Sequence, residues 1–353
     1  MEEKTAKNSV LIVDDNKQNV EALRSILEGL YTVYVALNGQ AALRTMRRTH
    51  PDIVLLDVIM PEMDGFEVMT EMRKDSDLEK TPVIFISGEK DEVTESRGLS
   101  MGAFDYIIKP YNPEIVQIKV RNQLDNRNYR TNLEDMVAEQ TKELVASREA
   151  IIMGMSILAE TRDQGTGKHV LRVKKYSEIL SWHIQATNPD LLPEEELQNI
   201  VLYSPLHDVG KVGIPDAVLL KPGKLTDEEF GIIKSHTVFG GNVLRQTESF
   251  LNEGNNSLRV AIEIAESHHE KWNGKGYPHG KKGTEIPISA RIVAIADIYD
   301  ALTSKREYKD AMKHDTAYDI IVNGDGRTMP DHFDPDVLEA FKNVSFAFKN
   351  LEV

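Results

Sequence analysis

Five short, mainly apolar runs in the first third of the chain do most to limit its fold: Val10–Val13, Tyr31–Ala36, Ile53–Leu56, Val83–Ile86 and Tyr106–Ile108. Runs this short with little polar alternation read as strands covered on both faces, as in a parallel sheet. Helical stretches at about Lys17–Leu27, Gln40–Arg48 and Phe66–Arg73 lie between them. Strands alternating with helices predict an α/β, doubly wound, five-stranded parallel sheet, with its working residues at the carboxyl ends of the strands.

Those ends carry Asp14, Asp15, Asp57, Ser87 and Lys109. Three carboxylates meeting one ammonium call for a further cation, and hard oxygen ligands suit Mg²⁺. Asp57 can then attack a phosphoryl donor to form an aspartyl phosphate, with Lys109 and the Ser87 hydroxyl meeting the phosphoryl oxygens. The segments Leu55-Leu56-Asp57-Val58-Ile59-Met60-Pro61-Glu62-Met63-Asp64-Gly65 and Asp105-Tyr106-Ile107-Ile108-Lys109-Pro110 make residues 8–122 resemble a response-regulator receiver domain. The resemblance implies that Asp57 is the phosphoacceptor, that Asp14, Asp15 and Asp57 hold Mg²⁺, and that a sensor histidine kinase is the partner. It also implies that Ser87 and Tyr106, with Lys109, are the switch residues that repack on phosphorylation.

A formal charge of −15 argues against a broad nucleic-acid-binding face, and the absence of cysteine removes thiolate metal sites and disulfides. Any metal must therefore sit on imidazole and carboxylate. Residues 1–8 are charged and the apolar runs are too short to span a bilayer, so a cytoplasmic protein with no membrane insertion is expected.

Residues 123–151 are expected to be a linker helix, since 112–151 hold no glycine and a single proline near the start. Leu133, Val137, Gln140, Leu144, Ser147 and Ile151 follow the alternating four-three spacing of a coiled-coil seam. The helix either joins two copies in a homodimer or packs on its own domain. By position, it can pass a packing change from the receiver to the C-terminal two-thirds of the chain.

Beyond Ile151 the pattern is helical throughout, predicting an all-α domain over 152–345. Helices are expected at about Ile152–Glu160, Lys168–Gln185, Glu194–Val209, Thr226–Thr247, Asn256–His268, Ala290–Thr303, Thr316–Val322 and Asp336–Lys342. Six histidines, His169, His207, His236, His268, His269 and His332, sit near helix ends or beside acids. Imidazole with carboxylate suits Fe, Mn, Ni or Zn, and Asp208 is placed to bridge two ions. Paired ions activate water and clamp both oxygens of an in-line displacement at phosphorus. Asp297 is an acid in an apolar helix, and Lys211 lies three residues past Asp208 as a compact cation for phosphoryl charge.

The blocks His207-Asp208-Val209-Gly210-Lys211, His268-His269-Glu270 with Gly276-Tyr277-Pro278, Asp297 through Lys309, and His332-Phe333-Asp334-Pro335 resemble an HD-GYP domain. Such domains are metal-dependent phosphodiesterases that open cyclic di-GMP to pGpG and often onward to GMP. The resemblance implies metal ligands His169, His207, Asp208, His236, His268, His269 and Asp297, with Asp208 and Lys211 catalytic. It assigns the substrate to Lys211, Gly276, Tyr277, Pro278, Arg306 and Lys309, and the metals to Fe or Mn, with Ni or Zn as alternatives. Two positions depart from the family. Gly165 stands where many members carry a glutamate ligand, so a dinuclear rather than trinuclear site is expected. Glu307 replaces the usual proline and adds a negative charge beside the proposed phosphate clamp. Gly165 also keeps open a non-catalytic cyclic di-GMP sensor, and hydrolysis of another cyclic dinucleotide or a nucleotide polyphosphate is the remaining alternative. His332 is expected to brace the fold rather than bind metal.

Overall fold

The computed structural model describes residues 7–88, 92–162, 167–251, 258–305, 311–349 and 351. The chain divides into two compact units, 1–141 and 142–353. In the first, the elements alternate as β1 (Ser9–Val13), α1 (Lys17–Leu27), β2 (Thr32–Ala36), α2 (Gly39–Thr49), β3 (Ile53–Asp57), α3 (Gly65–Met72), β4 (Val83–Ser87), α4 (Glu92–Ser100) and β5 (Asp105–Ile108). All strand pairs are parallel, in the order β2-β1-β3-β4-β5.

Successive strand residues point to opposite faces, and both faces are covered. Leu11, Val13, Val54, Leu56, Val83 and Phe85 pack on one side with Leu43, Met46, Phe66 and Met69. Val10, Ile12, Ile53, Leu55, Ile84 and Ile86 pack on the other with Leu23, Leu27, Val116 and Val120. Asn16, Asn38 and Asp64 cap α1, α2 and α3 with side-chain oxygens, the last in a reciprocal capping box with Glu67. Helix α4 is not among the helices expected from the sequence. Its apolar periodicity is poor, and Gly98 within it weakens a helical pattern. A Cβ at Gly98 would collide with the Tyr106 hydroxyl, so the glycine makes room for that side chain.

The helix expected over 123–151 runs further at both ends, as α5 (Pro113–Thr161). Val116, Val120 and Leu124 at its start are buried in the first unit, and Ile152, Ser156 and Ala159 near its end are buried in the second. All six residues of the expected seam are exposed along its length.

The second unit continues with α6 (Lys168–Thr187), α7 (Glu194–Tyr203), a 3₁₀ helix (Ser204–Gly213), α8 (Asp216–Leu219), α9 (Asp227–Lys234), α10 (His236–Ser249), α11 (Arg259–Ser267), α12 (Ile288–Thr303), α13 (His314–Asn323) and α14 (Pro335–Lys349). Val173, Leu180, Ile200, Ile264, Ile292, Ile295, Tyr299 and Phe341 centre its core. Two helices expected as single pieces are each divided. Pro205 cannot continue an α-helical hydrogen-bond ladder, so the stretch expected over Glu194–Val209 tightens into the 3₁₀ segment. The stretch expected over Thr226–Thr247 ends at Ser235 and restarts on His236. Both breaks fall beside an expected ligand. Among the described residues no helix is long and apolar enough to cross a membrane.

Candidate active site

At the carboxyl edge of the sheet, Asp14, Asp15 and Asp57 bring carboxylate oxygens within 4.8 Å of one another. The Lys109 Nζ lies 2.9 Å from an oxygen of both Asp14 and Asp57. The other Asp14 oxygen accepts from the Asn16 backbone N–H at 2.8 Å and from the Asn19 amide at 3.1 Å. Burial pushes the Asp57 carboxyl up to about 6, against the opposing pull of Lys109 and with added repulsion from Asp14. Gly65 passes so close beneath that a Cβ would strike the Asp57 carbonyl. Ser87 ends β4 and Tyr106 lies within β5, its ring 5.6 Å from that of Phe85; both are buried.

In the second unit the structure gathers seven of the sequence-selected residues into one cluster. Asp208, His236, His268 and His269 form one group, and His169, His207 and Asp297 another, each with potential ligand atoms within 4.8 Å. Asp208 lies between them. Its Oδ1 is 3.3 Å from His236 Nε2 and 3.8 Å from His268 Nε2. Its Oδ2 is 3.4 Å from His207 Nε2 and 2.8 Å from Lys211 Nζ.

Four of the five imidazoles are oriented from behind. The Nδ1 atoms of His207, His236 and His268 lie 2.9, 2.7 and 2.9 Å from the backbone carbonyls of Ser204, Ile233 and Ile264. Carbonyls only accept, so each Nδ1 carries the proton and each Nε2 presents its lone pair inward. His169 Nδ1 donates to Asp300 Oδ2 at 2.8 Å. Arg172 grips Asp300 in turn with Nε at 2.5 Å and Nη2 at 2.9 Å. Burial opposes ionisation of Asp300, but His169 and Arg172 hold its carboxyl down to about 2.

This arrangement fits metal ions. His169 Nε2 and His207 Nε2 face each other at 3.2 Å, two lone pairs that repel unless a cation or a proton lies between them. His236 Nε2, His268 Nε2 and Asp208 Oδ1 are buried with no hydrogen-bond partner, a costly state that a cation relieves. Protonation follows the same demand. Burial lowers the affinity of His207 for a proton, yet Asp208 outweighs it and pushes the imidazole up to about 9. Burial and the charge of His207 drive His268 down to about 3, and burial with His268 holds His269 well below the usual range. Both therefore stay neutral, as ligands must be.

The Gly276-Tyr277-Pro278 turn borders this cluster. The Tyr277 ring lies 4.8 Å from that of His269, and its backbone N–H donates to the His269 carbonyl at 3.3 Å. Buried Glu270 fastens the loop by accepting from the backbone N–H of His279 at 2.7 Å and of Lys281 at 3.1 Å. Gly276 is obligatory, because a Cβ there would run into the backbone of Glu270 and Lys271. The His332 carbonyl accepts from the Trp272 N–H at 2.8 Å, bracing the far side of the loop. Arg306, Glu307 and Lys309, and Gly165 of the other departure, lie outside the described residues.

Sequence reasoning did not single out Asp300, Arg172 or Lys234. A second acid one turn beyond Asp297 in an apolar helix is the available signal for Asp300, and its arginine partner follows from the need to pair a buried charge. The Lys234 ammonium sits 4.6 Å from the Phe230 ring centroid and 5.4 Å from that of Tyr277. Two residues before a ligand histidine, it carries no sequence pattern of its own.

A doubly wound parallel sheet with an acid triad at its carboxyl edge is followed in the chain by a helical domain with a histidine–aspartate cluster. Residues 139–337 match the HD domain family and residues 10–121 match the response regulator receiver domain family. The chain is 40% identical over 342 residues to a probable cyclic di-GMP phosphodiesterase of Vibrio cholerae, covering 94% of this chain and 77% of that one. It is 32% identical over 342 residues to the cyclic di-GMP phosphodiesterase response regulator RpfG of Xanthomonas campestris, covering 94% and 86%. Over 197 residues it is 41% identical to a 3'3'-cGAMP-specific phosphodiesterase of Vibrio cholerae, covering 56% of this chain and 35% of that one. The chain belongs to the response regulators that carry a receiver domain followed by an HD domain.

Proposed function

We propose that this response regulator hydrolyses cyclic di-GMP at the His/Asp cluster and that phosphorylation of Asp57 governs the rate. The observation that carries the reading is the cluster itself, where inward-facing imidazoles and a bridging-placed Asp208 offer a ligand set suited to cations. Two divalent transition ions, Fe or Mn, would be held by His169, His207, Asp208, His236, His268, His269 and Asp297. Once bound, they supply Lewis acidity toward the phosphoryl oxygens and activation of water for in-line attack.

The protein's own groups set the stage for that attack. Asp300 and the three backbone carbonyls fix the ligand tautomers. Lys211, held on Asp208, brings a positive charge to the rim for the phosphoryl group. The Tyr277 ring offers an apolar face to a nucleobase, with Arg306 and Lys309 as the cationic clamp. In the receiver, Asp57 is the nucleophile toward a histidine kinase's phosphoryl group, Lys109 its counter-cation, and Mg²⁺ the ion on the acid triad. Ser87 and Tyr106 are the residues that repack. Domain limits of 8–122, 123–151 and 152–345, a cytoplasmic setting and a homodimer paired along the exposed stretch of α5 belong to the same reading.

The deciding test is anaerobic incubation of Fe(II)- or Mn(II)-loaded protein with cyclic di-GMP, with products separated and metal counted. Turnover with about two metal ions per chain is expected. Tight binding without product in a fully loaded sample would overturn the hydrolase reading. The likeness to a 3'3'-cGAMP-specific enzyme favours one alternative substrate, and a faster rate with that dinucleotide would replace cyclic di-GMP as the assignment.

A further inference from the structure

The final turns of α5 are fastened to the segments that carry the metal ligands. Arg148 donates to the Tyr203 hydroxyl, and its guanidinium lies 5.3 Å from that ring's centroid. Tyr203 is buried at the end of α7, and the next residue, Ser204, supplies the carbonyl that holds His207 Nδ1 at 2.9 Å. One turn of chain thus connects an α5 side chain to the orientation of a ligand. A second fastening pairs Glu149 of α5 with Lys174 of α6. A third is steric: Ile157 of α5 packs against Gly167, where a Cβ would stand 3.2 Å from two of its carbons. Gly167 caps α6 two residues before His169 and has a left-handed φ of 72° that disfavours any other residue. A fourth lies just past α5, where Arg162 donates to the carbonyls of Val212 and Ile214 and meets Asp216 Oδ1 at 2.5 Å, gripping the far end of the 3₁₀ helix.

The 3₁₀ helix bearing His207 and Asp208 is therefore held from α5 at both ends, by Arg148 before it and by Arg162 after it. The helix bearing His169 is held at its first residues. A rotation or axial shift of α5 cannot occur without moving these anchors. We infer that the last four or so turns of α5 form the lever that sets the His207 and His169 ligands, with Arg148 and Tyr203 as its positioning residues. The inference rests on the proposal that the receiver governs the HD centre, and names where that control arrives. Arg148 contacts the ring and hydroxyl of Tyr203, and through it acts on His207.

The test uses the full chain, loaded with Mn(II), with beryllium trifluoride as the phosphoryl analogue at Asp57. Amide hydrogen exchange over residues 199–213 is followed with and without the analogue, and the ratio of cyclic di-GMP turnover in the two states is measured in parallel. In the wild type, the analogue is expected to change protection in this segment. In Arg148→Ala that change and the turnover response are both reduced. Tyr203→Phe, which keeps the ring and drops the hydroxyl, retains part of the response, and Arg148→Lys restores more than alanine. An undiminished exchange response in both Arg148→Ala and Tyr203→Phe, or no response of the segment in the wild type, overturns the lever. The exchange readout needs no substrate, so a wild type that responds but hydrolyses nothing refutes the assigned activity and leaves the lever standing.

Discussion

The two acidic clusters of this molecule meet the same electrostatic problem in opposite ways. In the receiver, three carboxylates are served by a protein cation, Lys109, 2.9 Å from both Asp14 and Asp57. That cluster is partly neutralised by the chain itself. In the HD unit, five imidazoles surround Asp208 and Asp297, and backbone carbonyls turn the lone pairs of three of them inward. The Lys211 ammonium reaches a single Asp208 oxygen and leaves the other to Nε2 atoms that cannot all donate. The contrast separates carboxylates paired with a cation of the chain from carboxylates faced mainly by imidazole nitrogens.

Removing Asp208 should show this most strongly. Asp208→Ala is expected to lower cyclic di-GMP turnover by about a thousandfold or more, given the several kcal/mol a metal centre contributes. Phosphoryl uptake by the receiver, followed with a radiolabelled donor, should be unchanged; a loss in both would break the separation. Next, Lys109→Ala leaves buried carboxylates without their cation. It should cost the receiver about 3 kcal/mol in Mg²⁺-free denaturant titrations, as for other broken buried pairs. Added Mg²⁺ should recover part of that loss, and a failure to do so would count against the metal role of the triad. Asp300→Asn removes the charge that orients His169, so metal affinity should fall by about 10–100-fold in chelator competition. An unchanged affinity would make Asp300 a packing residue only.

The smallest effect concerns pH. The Asp57 carboxyl is raised from 3.8 to about 6 in the folded chain, so between those values the native state binds the extra proton. Stability should therefore be greatest at the acid end of that window and fall as pH rises through about 6. Thermal melts in Mg²⁺-free buffer should show this slope, and Asp57→Asn should flatten it.

Much of both clusters is legible in the sequence because strand ends and paired histidines are local signals. The run Ile53–Leu56 closing on Asp57 places an acid at a sheet edge with no knowledge of the rest of the chain. The joining of His169 to Asp300, 131 residues apart, is a tertiary fact with no such local mark. Helix α4 is hidden because its periodicity is weak, and Gly98 makes sense only once Tyr106 is known to lie against it. The breaks at Pro205 and Ser235 differ in kind. Proline announces the first, whereas nothing in the residues around Ser235 marks a restart that places His236 at a helix head.

Helix α12 limits how such a site can vary. Asp297 and Asp300 stand three residues apart on it, one facing the other ligands and one gripping His169. That pairing is fixed by the pitch of the helix and not by any loop. A single inserted or deleted residue between them would swing one acid about 100° away from its task. The turn over 274–285 carries no such periodic constraint apart from its glycines. Changes in the length of the chain around the site are thus accommodated by the loops and not by α12, whose core residues and paired acids fix its register.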